Sequence, residues 1–135
     1  MVKMSGTYAG ALKCNLTHED SGTQIQTVAP KDNQGDGSSF SPTDLLGAAL
    51  GSCIVTTLAI VAARDQISIE GARFEVTKEM VSQPTRRVGT LTVKVYLPAS
   101  IPESYRAKVI HVAHACPVHK SLHPDVQMPI EISYV

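Results

Sequence analysis

From Leu45 to Ala63 the chain runs nineteen residues without a charge. A run of that length is enough to cross a bilayer, but its content argues otherwise. Gly47, Gly51, Ser52, Thr56 and Thr57 interrupt it, alanine supplies much of the rest, and no aromatic belt brackets it. The stretches on either side read as soluble strands, so the run is expected to be a helix buried on all sides, with no membrane as partner. Its start is well marked. Ser41 is a good N-cap, Pro42 suits the first helical position, and Asp44 takes the capping-box position with a shorter side chain than the usual Glu. Gly47 and Gly51 leave a smooth face against which another backbone can pack closely. A helix without a polar face needs cover on every side, and in a chain of 135 residues a second copy is one natural source of it.

Strand patterns flank the helix. Tyr8, Leu12, Cys14 and Leu16 share one parity, and after Ser21-Gly22 a second run from Thr23 to Ala29 completes a hairpin. A loop rich in Gly, Asp, Ser and Asn follows from Pro30 to Phe40. Beyond the helix, Phe74, Val76 and Met80 alternate with polar residues, as do Leu91, Val93, Val95 and Leu97, with a turn near Gln83-Pro84-Thr85. Ser100 and Glu103 form a capping box around Pro102 and open a second helix, whose apolar face carries Tyr105, Val109, Val112 and Cys116. Pro117 ends it, and a short helix runs from Pro117 to about Leu122. Val126, Met128, Ile130, Ile132 and Tyr134 alternate at the end, with Pro129 marking an edge strand or a bulge. The expected order is ββ-α-ββ-α-β, an α+β fold with antiparallel sheet in one domain spanning residues 1–135.

Composition excludes several roles. Twelve Lys and Arg balance twelve Asp and Glu, so no basic field draws in nucleic acid or an anionic membrane. With no Trp, two Phe and four Tyr there is little to stack on bases. A domain of this size buries about 68% of its unfolded surface and needs no disulfide or metal to fold. The three cysteines, Cys14, Cys53 and Cys116, are too few and too far apart for a secreted disulfide framework, and the start lacks the apolar run of a secretory signal. A cytoplasmic setting is expected.

The cysteines are the groups with most chemical reach. Cys53 lies about three turns into the apolar helix, where a lone cysteine is usually inert packing unless a cation or hydrogen-bond donor reaches it. Cys116, followed by Pro117, sits where an N-cap residue would sit, with free N–H groups of the next turn near its sulfur, a placement that favours the thiolate. His111, His114, His119 and His123 cluster around it. The pattern H-x-x-H-x-C-x-x-H-x-x-x-H matches no standard zinc spacing, and Pro117 breaks the register between its halves, so no metal is assigned. Cys14 with nearby His18 gives no specific indication. No Gly-x-Gly-x-x-Gly, phosphate loop or Gly-x-Ser-x-Gly is present.

Read together, Ser41-Pro-Thr-Asp-Leu-Leu-Gly-Ala-Ala-Leu-Gly-Ser-Cys53 and, about sixty residues later, Ala115-Cys116-Pro-Val-His-Lys-Ser-Leu122 resemble the OsmC/Ohr family. The resemblance implies antiparallel sheets wrapped around a central buried helix in an intertwined homodimer, with active sites at the dimer interface. It also implies a cofactor-free thiol peroxidase that reduces organic hydroperoxides in oxidative or osmotic stress defence. In that assignment Cys53 is the peroxidatic thiol, Cys116 the resolving one, and an external dithiol, lipoyl groups in the Ohr branch, the reductant. Where the family's Ohr and OsmC branches carry Glu directly after the Pro of the helix-start motif, this chain has Thr43, with Asp44 one residue later. The family's activating Arg comes from the N-terminal strands, whereas the first Arg here is Arg64 and Lys13 is the candidate cation. Lys13, Asp44 and His119 are thus the candidate helpers in a divergent OsmC-like branch. Two rival readings remain: a non-catalytic binder of a hydrophobic small molecule at the dimer interface, and a metal-linked sensor.

Overall fold

A computed structural model describes all residues from Met1 to Val135. The chain divides into two compact units, Met1–Leu46 and Gly47–Val135, with the boundary inside the long helix α1, Pro42–Arg64.

The N-terminal unit is built on a three-stranded antiparallel sheet, β1 Met4–Gly10, β2 Lys13–His18 and β3 Gln24–Val28, in that order. The expected two-strand hairpin is therefore a three-strand meander. The run from Tyr8 to Leu16 looked continuous in parity, but Gly10, Ala11 and Leu12 turn the chain back with φ of 82°, 53° and 61°. Two of those three residues carry no turn chemistry in their side chains, so nothing in the sequence announced the break. Cross-strand register gives the sheet two faces. Ser5, Thr17 and Gln24 align with Thr7, Asn15 and Gln26 on one, where the Gln26 amide donates to Asn15 Oδ1 at 2.7 Å. Gly6, Leu16 and Ile25 align on the other.

The loop after β3 is held by several local contacts. Gly35 packs on the backbone of Ala29 so closely that a Cβ there would lie 1.5 Å from the Ala29 carbonyl oxygen. Asp36 accepts from the Ser38 N–H at 2.9 Å and pairs with Lys13 at 3.4 Å, and the Ser39 hydroxyl donates to the Gln26 carbonyl at 2.9 Å. The helix start forms as expected. The Ser41 N–H donates to Asp44 Oδ2 at 2.7 Å, and the Asp44 N–H donates back to Ser41 Oγ at 3.1 Å, a reciprocal capping box with Asp in the place of Glu.

In the C-terminal unit, β4 Arg73–Val81 and β5 Arg87–Leu97 form the expected antiparallel hairpin. The last strand, β6 Ile130–Tyr134, lies on the other side of β5 and runs parallel to it. The sheet is therefore mixed rather than antiparallel, because the chain reaches β6 through a helical crossover. β6 starts directly after Pro129, whose missing N–H would otherwise interrupt the ladder. That crossover holds a 3-10 turn at Glu103–Tyr105, α2 Arg106–Ala113 and α3 Pro117–Ser121. The Ser100 capping box does not form: the turn is preceded by Pro102 with no side-chain cap. Val88, Leu91, Val93, Val95 and Leu97 of the central strand are buried with Leu50, Ile54 and Leu58 of α1 and Val109 and Val112 of α2.

Helix α1 is buried along one stripe, Gly47, Leu50, Gly51, Ile54, Leu58 and Ala62, and not on all sides. Leu46 and Ile60 stay 40% and 56% exposed. The glycine face meets side chains rather than another backbone, since a Cβ on Gly51 would lie 2.5 Å from the Phe74 ring.

Candidate active site

Cys53 and Cys116 come together within the C-terminal unit. Cys53 is half-buried on α1 and packs against the core cluster. Cys116 is fully buried between α2 and α3. Pro117 denies Cys116 helical geometry, leaving it extended at φ −64° and ψ 144°, which turns its sulfur over the first turn of α3. There Cys116 Sγ accepts the His119 N–H at 3.3 Å, the N-cap role expected from the sequence.

The electrostatic expectation for Cys116 fails. Burial pushes the thiol above its ordinary range, and Cys53 raises it further through a hydrogen bond and through charge. The N–H groups of His119 and Val118 pull the other way without winning. The sequence shows the N-cap but not the depth at which the sulfur is buried, and depth decides. Cys116 therefore keeps its proton at neutral pH, with its neighbour Cys53 as the natural acceptor for it. Cys14 is half-buried on β2, and all three thiols are free.

His119 is half-buried behind Cys116, and burial, His114 and Lys120 all lower its pKa, which leaves the imidazole neutral at pH 7. Its ring meets that of His114 edge-on at 5.7 Å. His111 and His123 are exposed, and His123 lies 3.7 Å from Asp125. No three His, Cys, Asp or Glu side chains converge to hold a metal ion. The other two candidates lie in the N-terminal unit: Lys13 is paired with Asp36, and Asp44 takes part in the capping box.

Two features escaped the sequence reading. Thr57, one turn beyond Cys53, places its Oγ1 4.0 Å from Cys53 Sγ, a contact that the i, i+4 spacing on a known helix would have revealed. At the far end of α1, Asp65 accepts from Tyr105 Oη at 2.6 Å and from Lys108 Nζ at 2.5 Å. These bonds hold the Asp65 carboxyl below its usual range, Lys108 most and then Tyr105, and push the Tyr105 phenol up to about 12. They join residues far apart in sequence, so no local pattern points to them.

Fold and site together define a class: small α+β proteins in which a half-buried cysteine on a long apolar helix faces a buried cysteine at the cap of a short one. Residues 35–131 match the model of the OsmC-like protein family, and the chain belongs to that family. A Psychrobacter arcticus protein named for a suggested role in osmotic stress and detoxification is 39% identical, with a TM-score of 0.91 over 98% of this chain and 96% of that one. The organic hydroperoxide resistance protein OsmC of Legionella pneumophila shares the fold at 16% identity and TM-score 0.77, over 98% of this chain and 96% of that one. OhrB of Bacillus subtilis, also an organic hydroperoxide resistance protein, does so at 20% identity and TM-score 0.72, over 98% and 97%. No curated protein matches by sequence.

Proposed function

We propose that this protein is a thiol peroxidase for organic hydroperoxides, with Cys53 as the peroxidatic and Cys116 as the resolving cysteine. The observation that carries the reading is the adjacency of the two free thiols, one half-buried and reachable, the other buried and protonated. The Cys53 thiolate attacks one peroxide oxygen, the O–O bond breaks, and the alcohol leaves with a proton while Cys53 becomes a sulfenic acid. The Cys116 sulfur then attacks the sulfenic sulfur. Its proton and the sulfenic OH leave as water, and a Cys53–Cys116 disulfide remains. An external dithiol, such as a lipoyl group, reduces that disulfide and is itself oxidised to the cyclic disulfide. His119 supports that step through its backbone N–H, which holds the Cys116 sulfur.

We read the active form as a cytoplasmic homodimer. Exposed apolar side chains at Leu46 and Ile60 on α1, and at Met4, Tyr8 and Ile25 in the N-terminal unit, support a second copy as their cover. A non-catalytic binder of hydrophobic molecules is the second reading. It draws on Lys13, the cation that would activate the thiol, being already paired with Asp36.

One experiment separates the two. The protein is treated with one equivalent of cumene hydroperoxide and its intact mass and cysteine peptides are mapped. A stoichiometric Cys53–Cys116 disulfide, formed fast and absent from Cys53→Ser, is the expected result. Slow, scattered oxidation with both thiols still free sinks the peroxidase and leaves the binder.

A further inference from the structure

Two consecutive threonines on α1 use their hydroxyls differently. Thr56 Oγ1 donates back to the helix, at 2.9 Å from the Ser52 carbonyl and 3.2 Å from that of Cys53. This is the usual outlet for a threonine in the middle of a helix. Thr57 has the same kind of carbonyl behind it but places its Oγ1 4.0 Å from Cys53 Sγ, a contact in which either group can donate. Cys53 and Thr57 are each half-buried, so water competes only partly for that hydroxyl. A thiol sulfur is a weak acceptor, whereas a thiolate accepts charge-assisted bonds about twice as strong as neutral ones. The contact therefore strengthens when Cys53 ionises.

We propose that Thr57 is a positioning residue for the Cys53 thiolate, its hydroxyl donating to the sulfur and fixing its orientation on α1 together with the thiol of Cys116. The assignment deepens the peroxidase reading and rests on it for the reaction served, though not for the state of the sulfur. A single hydroxyl at this spacing supplies a directed donor from the helix itself, whatever cation is engaged elsewhere. The titratable groups on the α3 side are Cys116, which acts on Cys53 directly, and His119, whose amide holds Cys116.

The test is the rate at which Cys53 is alkylated by iodoacetamide, followed by peptide mapping across pH in a Cys14→Ser background. Thr57→Val keeps the branched shape without the donor, and Thr57→Ser restores the donor without the methyl. Valine is expected to slow labelling of Cys53 at neutral pH by about three- to tenfold, the worth of one such bond, and to move the pH profile upward. Serine is expected to restore both. Equal rates and profiles for Thr57→Val and the parent overturn the assignment, as does a serine variant that labels as slowly as valine. Labelling needs no peroxide, so a chain inert to hydroperoxides that still shows this pattern supports Thr57 and overturns only the peroxidase reading.

Discussion

At the scale of single residues, the two cysteines are set apart by where their sulfurs sit. Cys116 has helix N–H groups pointed at it and still holds its proton, because a buried anion beside a second sulfur costs more than two N–H contacts return. Its folded value is raised, so the stability it contributes is present below the range in which an unfolded cysteine ionises, about 8.5. That contribution is lost as pH rises through the folded value. The urea midpoint should fall as pH rises above about 8.5, and Cys116→Ser should flatten that fall. On the proposed mechanism the same substitution removes the resolving thiol, so a hydroperoxide should leave a Cys53 sulfenic acid that dimedone captures. The parent should leave none. Recognising the cysteines as a pair needed only their flanking motifs. Ranking their acidity needed the burial of Cys116, which depends on strands and helices distant in sequence.

At the scale of elements, α1 is fixed to its surroundings at two points of different character. Gly51 admits the Phe74 ring and Val76 of β4 into the space of a missing side chain. Gly51→Ala is expected to destabilise the protein by about 1–3 kcal/mol through overpacking. Phe74→Leu in the same chain should recover part of that loss in a double-mutant cycle of urea midpoints. At the other end, Asp65 is held by Lys108 and Tyr105 from the crossover. The Asp65 value is depressed on folding, so the stability it contributes is present above the unfolded carboxylate value, about 3.9, and is lost as pH falls through the lower folded one. Melting temperature should therefore drop less steeply on acidification in Asp65→Asn than in the parent. The phenol of Tyr105, now at about 12, should titrate lower in that variant by ultraviolet absorbance. The limits of α1 were legible because its caps, composition and length agree. The meander in the N-terminal sheet was not, since Ala11 and Leu12 adopt left-handed backbone that their side chains do not favour.

At the scale of the molecule, the order of elements after α1 was also legible almost in full, but not how β6 pairs. Alternation over Ile130, Ile132 and Tyr134 marks a half-buried strand and carries no information about direction. Only the crossover through α2 and α3 makes the parallel arrangement. The apolar residues left outside the C-terminal stripe of α1 predict self-association, and sedimentation should give a dimer mass. Ile60→Glu, which charges that exposed position, should shift the population toward monomer.

The parallel docking of β6 also decides what holds the two thiols together. The hairpin β4–β5 closes on a short turn, whereas the pairing of β6 with β5 closes a loop that holds the whole crossover. Cys116 lies within that loop, whereas Cys53 lies on α1, outside it. The two sulfurs are therefore neighbours only where long-range contacts hold the crossover against the sheet. A chain without those contacts holds two distant thiols, and on the proposed mechanism its first sulfenic acid has no partner to close on.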